Sequence, residues 1–225
     1  MEDRERALGL DVSVRAPSLV VGAGLLLAAS AAWAALLAMG DEMPMGIGLW
    51  IGAWTVMMAA MMLPSTSPLV LLYARQSTAV RSALLTTGYV AVWAGVGLAA
   101  YGIDMRLPDP SNRVVGAVLF AAGIYQLTPL KTACLTRCRN PGDFLVTHWR
   151  GGRVGALRLG VEHGAYCVGC CWALTGVLIV AGSMSLAWVV AIALVVAGEK
   201  LLPAGQLLGR LGGVGLLVAG IVVAL

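Results

Sequence analysis

Eleven residues carry the densest chemistry in the chain: Glu162-His163-Gly164-Ala165-Tyr166-Cys167-Val168-Gly169-Cys170-Cys171-Trp172. At about 100° per residue, His163, Cys167, Cys170 and Cys171 fall in one stripe of a helix, each within a turn of the next. Thiolate and imidazole select copper(I), zinc or iron–sulfur species, and clustered thiols can also exchange electrons by disulfide chemistry. A single cysteine in apolar surroundings is usually a small hydrophobe. Three thiols with a histidine one turn before them are harder to assign to packing, and they predict a soft-metal or thiol site.

The elements that must position this stripe are membrane helices. The chain has 225 residues, 60% hydrophobic and 12% charged, with a mean hydropathy of +0.89. A soluble domain would carry about 25% charged residues and could not hide so much apolar surface. The fold expected is all-α, a polytopic transmembrane helix bundle of about seven spans, or six. Residues 1–18 form a polar N-terminal tail and 19–225 a single bundle. The expected spans run from Leu19 to Met39, Ile47 to Leu63, Ser82 to Gly102, Val114 to Leu130, Leu159 to Ala181, Met184 to Leu202 and Gly205 to Leu225, each near the roughly 20 residues that a bilayer core requires. Pro64 closes the second span, and Ser65-Thr66-Ser67-Pro68 is expected as a turn or a re-entrant start. Residues 131–158 form a basic loop.

Net charge +4 and a pI near 9.0 do not point to nucleic acid, because the basic residues lie between apolar segments. They report topology instead. With the N-terminus in the cytoplasm, thirteen of the fifteen basic residues fall on the inner side and only Arg106 and Arg113 outside, as the positive-inside rule requires. Five cysteines, an odd number, fit reduced thiols near the cytoplasmic face.

Topology then gathers the soft ligands. Met57, Met58, Met61 and Met62 form a thioether patch in the inner half of the second span, their pairs one turn apart. Cys134 and Cys138 follow the inner end of the fourth, and His163 to Cys171 occupy the inner part of the fifth. Met43 and Met45 lie in the first outer loop, where they could serve as an outer station for the ion. Gln126 is expected to face the bundle, since hydrocarbon offers an amide no partner. Glu199-Lys200 is expected to be an interfacial ion pair or, as a functional pair, a gate or proton relay. No Ser-His-Asp, His-Glu-x-x-His or paired-carboxylate arrangement is present, which disfavours an enzyme.

Four motifs stand in order: Trp54-x-x-Met57-x-Ala59-Ala60-Met61-Met62-Leu63-Pro64; Tyr125-Gln126-x-x-Pro129-Leu130-Lys131-x-x-Cys134-Leu135-x-x-Cys138; Gly164-x-Tyr166-Cys167-x-Gly169-Cys170-Cys171-Trp172-Ala173-Leu174; and Glu199-Lys200. Over about Ile47 to Pro203 they resemble the bacterial family of metal-binding integral membrane proteins, a domain of unknown function that includes membrane copper chaperones associated with polyphenol oxidases. Where that pattern would place a methionine after Trp-Ala-Leu, this chain has Thr175. The resemblance implies copper(I) binding, or delivery to a copper-dependent enzyme, in the bacterial inner membrane. Spacing alone reaches only a soft-metal or thiol site, with zinc as the alternative ion. A membrane thiol-disulfide oxidoreductase and a structural or assembly subunit are the competing functions.

Overall fold

The computed structural model describes residues 12–40, 46–106, 110–181 and 185–225. Met43 and Met45, the expected outer station, lie outside the described residues. Among the described residues there are nine helices and no strand: α1 Val12–Met39, α2 Ile47–Ala74, α3 Ala79–Asp104, α4 Asn112–Gln126, α5 Pro129–Arg139, α6 Pro141–His148, α7 Gly152–Val180, α8 Leu186–Leu201 and α9 Gly205–Ala224. Five of them are long and apolar enough to cross a membrane: Ser18–Met39 within α1, then α2, α3, α7 and α9. The pair α4–α5, bent by 66°, makes a sixth when taken as one broken span. The molecule is therefore an all-α, multi-pass membrane protein. α8 has 16 residues, short for a bilayer core.

Two local expectations are corrected. α2 does not stop at Pro64; it runs on to Ala74 with Pro64 and Pro68 inside it. Pro68 has no N–H to give the carbonyl four residues back, and the Ser67 hydroxyl donates to that Pro64 oxygen at 2.8 Å instead. Hydroxyls that recover lost backbone bonds let proline persist in membrane helices. The supposed turn is thus helix.

The supposed basic loop at 131–158 is also mostly helical. Thr128 accepts from Lys131 N at 3.3 Å and caps α5, with Pro129 in its first turn, and Pro141 does the same for α6. Proline suits a first turn because its missing N–H would have had no helical partner. α6 then presents Phe144 and Leu145 to a core shared with Leu63, Leu69, Val70 and Tyr73 of α2. The interval exposes Asp143, Arg150, Arg153 and Arg158 and buries Phe144 and Leu145, with Lys131 buried as well.

Small residues set how closely the helices approach. α3 crosses α7 where a Cβ on Gly160 would strike the Leu85 carbonyl and one on Gly88 the Leu157 carbonyl. α4 meets α9 in the same way, a Cβ on Gly123 falling 2.8 Å from Gly213 O. Between apolar helices in lipid, such backbone approach supplies the van der Waals contact that holds the pair. These crossings fix α7, and with it the cysteine stripe, against its neighbours.

Candidate metal centre

The stripe on α7 faces inward. Cys167, Cys170 and Cys171 are each 1% exposed or less, whereas Trp172 is 51% exposed. The three Sγ atoms lie within 4.8 Å of one another, and those of Cys170 and Cys171 are 3.3 Å apart. α5 brings a fourth sulfur from a different helix: Cys138 Sγ lies 3.9 Å from Cys170 Sγ. Two metal–thiolate bonds of about 2.3 Å each reach about 4.6 Å, which covers the Cys170–Cys171 and Cys138–Cys170 separations.

Two polar side chains not expected at the site close on Cys167. Lys200 Nζ of α8 donates to Cys167 Sγ at 2.9 Å and to Ser65 Oγ at 3.3 Å, with Met62 Sδ at 3.9 Å. Tyr89 Oη of α3 is 3.0 Å from the same Cys167 sulfur. Three helices, α3, α7 and α8, thus meet at the Cys167 sulfur, and α2 meets the Lys200 ammonium beside it. Tyr89 lies mid-span with nothing beside it in sequence to mark it, and Lys200 was expected to bind the residue next to it.

That expected Glu199–Lys200 pair is not formed: Glu199 pairs with Lys131 instead. Glu199 and Lys200 are both buried and point to different neighbours. Glu199 accepts from Lys131 Nζ at 2.6 and 2.7 Å and from Gln126 Nε2 at 2.8 Å. Lys131 also donates to Gln126 Oε1, and Arg139 donates to the Glu199 backbone oxygen. Gln126 is buried as expected. The 66° break between α4 and α5 is what turns both Gln126 and Lys131 inward.

The remaining candidates are placed unequally. Met57, Met58, Met61 and Met62 are all buried in the core that holds the three α7 thiols, with Met62 sulfur beside Lys200. His163 is buried, but it is not a member of the three-sulfur group. Its ring lies 5.8 Å from that of Tyr89 and 5.0 Å from that of Phe144, and its Nδ1 finds no hydrogen-bond partner among the described residues. Cys134 is only partly buried and sits against Gly169, where a Cβ would fall 2.7 Å from its sulfur. Thr175, which stands where a thioether was expected, donates to Cys171 O at 3.2 Å.

A buried group of thiols with thioethers beside it, inside a multi-pass helical bundle, defines a membrane protein with a candidate soft-metal centre. A family model described as PpoB2, copper chaperone, matches residues 51–223, from the start of α2 almost to the end of α9. The chain belongs to that copper chaperone family. No curated protein and no solved structure matches it.

Proposed function

We propose that this protein binds copper(I) within the bilayer and passes it to a copper-dependent partner enzyme, catalysing no reaction of its own. The observation that carries this reading is the group of three buried thiols within 4.8 Å, extended by Cys138 on a second helix. Cys167, Cys170, Cys171 and Cys138 hold the ion; Met57, Met58, Met61 and Met62 supply neutral thioethers, and His163 and Cys134 stand at the edges. More sulfurs than the two or three that copper(I) needs permit handover by ligand exchange, one sulfur joining before another leaves. Met43 and Met45 form a station on the opposite side of the membrane. Soft donors favour copper(I) over harder ions, with zinc as the competitor for a thiol-rich site.

The family resemblance supports a bacterial inner-membrane location, and the distribution of basic residues supports an N-terminus in the cytoplasm. The segment 131–158, with six basic residues against Asp143, then faces the cytoplasm and brings Cys134 and Cys138 to that side.

The test is metal binding by the protein purified in detergent under reducing conditions. Wild type takes up copper(I) in competition with a chromogenic chelator, and Cys167→Ser/Cys170→Ser loses most of it. Equal uptake by the double variant removes the site; turnover of thiols with a quinone in metal-free protein would favour an oxidoreductase instead.

A further inference from the structure

We propose that Lys200 is the built-in counter-charge of the copper site, so that the loaded centre is a two-thiolate copper(I) complex neutralised by the Lys200 ammonium. This rests on the copper reading above. Lys200 is 7% exposed, and its polar contacts are a thiol sulfur, a hydroxyl and a thioether, with no carboxylate among them. An ammonium so deeply placed is strongly unfavourable unless a negative group faces it. Glu199, its neighbour in sequence, is already neutralised by Lys131 at 2.6 Å. Tyr89 reaches Cys167 from the other side, so the sulfur 2.9 Å from Lys200 is the negative group on offer.

Charge counting then separates ions. Copper(I) between two thiolates carries one net negative charge, and Lys200 cancels it. A divalent ion between the same two thiolates is already neutral, and Lys200 leaves the assembly with one uncompensated positive charge. Where the surroundings are apolar, an unbalanced charge weighs heavily. At a two-thiolate centre Lys200 therefore favours the monovalent ion, a preference that donor softness alone does not provide; a divalent ion reaches the same balance only by taking a third thiolate.

The experiment compares copper(I) and zinc(II) affinities of wild type, Lys200→Leu and Lys200→Gln in the same detergent, by chelator competition. Lys200→Leu removes the charge and, unlike methionine, adds no thioether that could itself hold copper(I); Lys200→Gln keeps a donor for the sulfur and covers the case in which the leucine variant fails to fold. Both neutral variants are expected to lose about 100-fold or more in copper(I) affinity, the scale of a removed partner in a buried charge pair, while zinc(II) affinity changes by less than about tenfold. Unchanged copper(I) affinity, or parallel losses for both ions, overturns the assignment. Failure of wild type to bind copper(I) at all would instead overturn the copper reading on which it rests.

Discussion

Glu199 and Lys131 are 68 residues apart in sequence, yet the carboxylate oxygens lie 2.6 and 2.7 Å from Nζ, with the two side chains 1% and 2% exposed. Gln126 bonds to both partners, and Gly209 leaves room beside them, where a Cβ would fall 3.1 Å from Glu199 Oε1. The pair ties the broken α4–α5 segment to α8. It also frees Lys200, one residue further on, to point at the thiols. Two adjacent charges of opposite sign thus serve two different centres.

Removing one member should leave the other buried without a counter-charge. Glu199→Gln is expected to destabilise the bundle by about 3–5 kcal/mol, whereas Glu199→Gln combined with Lys131→Met should recover most of that loss, because a buried pair is costly to break but not costly to replace by apolar groups. Thermal unfolding in detergent followed by tryptophan fluorescence checks it. A double variant as unstable as the sum of the single ones would mean that the two side chains do not act as a pair.

The close crossing of α3 and α7 makes a second prediction. Gly160→Ala puts a methyl into the Leu85 carbonyl, so backbone must move, and a loss of about 1–3 kcal/mol is expected, as for other overpacked sites. Gly176, in the same helix, has nothing within 4 Å of its would-be Cβ; Gly176→Ala should be neutral or stabilise by up to about 1 kcal/mol through helix propensity. Equal effects of the two substitutions would show that packing against α3 is not what Gly160 serves.

Much of this architecture is legible in local sequence. Periodicity puts Cys167, Cys170 and Cys171 on one face because i, i+3 and i+4 neighbours share a helix side whatever the tertiary fold, and hydropathy marks the helical segments for the same local reason. Pairings across helices are not local. Lys200 meets Cys167 over 33 residues and Tyr89 meets it over 78, and no spacing rule selects these partners. Pro64 and Pro68 mislead because in water a proline ends a helix, while here Ser67 supplies the bond that Pro68 cannot. Charge density likewise hid the helices at 131–158, although Thr128-Pro129 and Asn140-Pro141 mark their starts.

Thiol exposure predicts an order of reaction. Cys134 is the partly exposed sulfur, and Cys138, Cys167, Cys170 and Cys171 are buried; access controls thiol reactivity together with ionisation. In reduced, metal-free protein, a water-soluble maleimide should label Cys134 first, at least about tenfold faster than the others, as mass spectrometry of timed digests would show. If Cys134 is also the sulfur that hands copper(I) onward, Cys134→Ser should leave equilibrium affinity within about threefold but slow transfer to an external chelator. Labelling of Cys170 or Cys171 ahead of Cys134 would contradict the packing of α5 on α7.

Ser67 offers the narrowest test of the local account of α2. Its hydroxyl donates at 2.8 Å to the Pro64 oxygen that Pro68 leaves without a backbone donor, so Ser67→Ala is expected to cost about 1 kcal/mol, the usual worth of one such bond. In a Pro68→Ala background the restored N–H can reach that oxygen itself, and the same Ser67→Ala change should then cost much less. The difference between the two costs is the coupling energy of a double-mutant cycle, measurable from melting curves of four variants. Identical costs in both backgrounds would mean that the serine does not replace the missing backbone bond, and that α2 passes through its two prolines by packing alone.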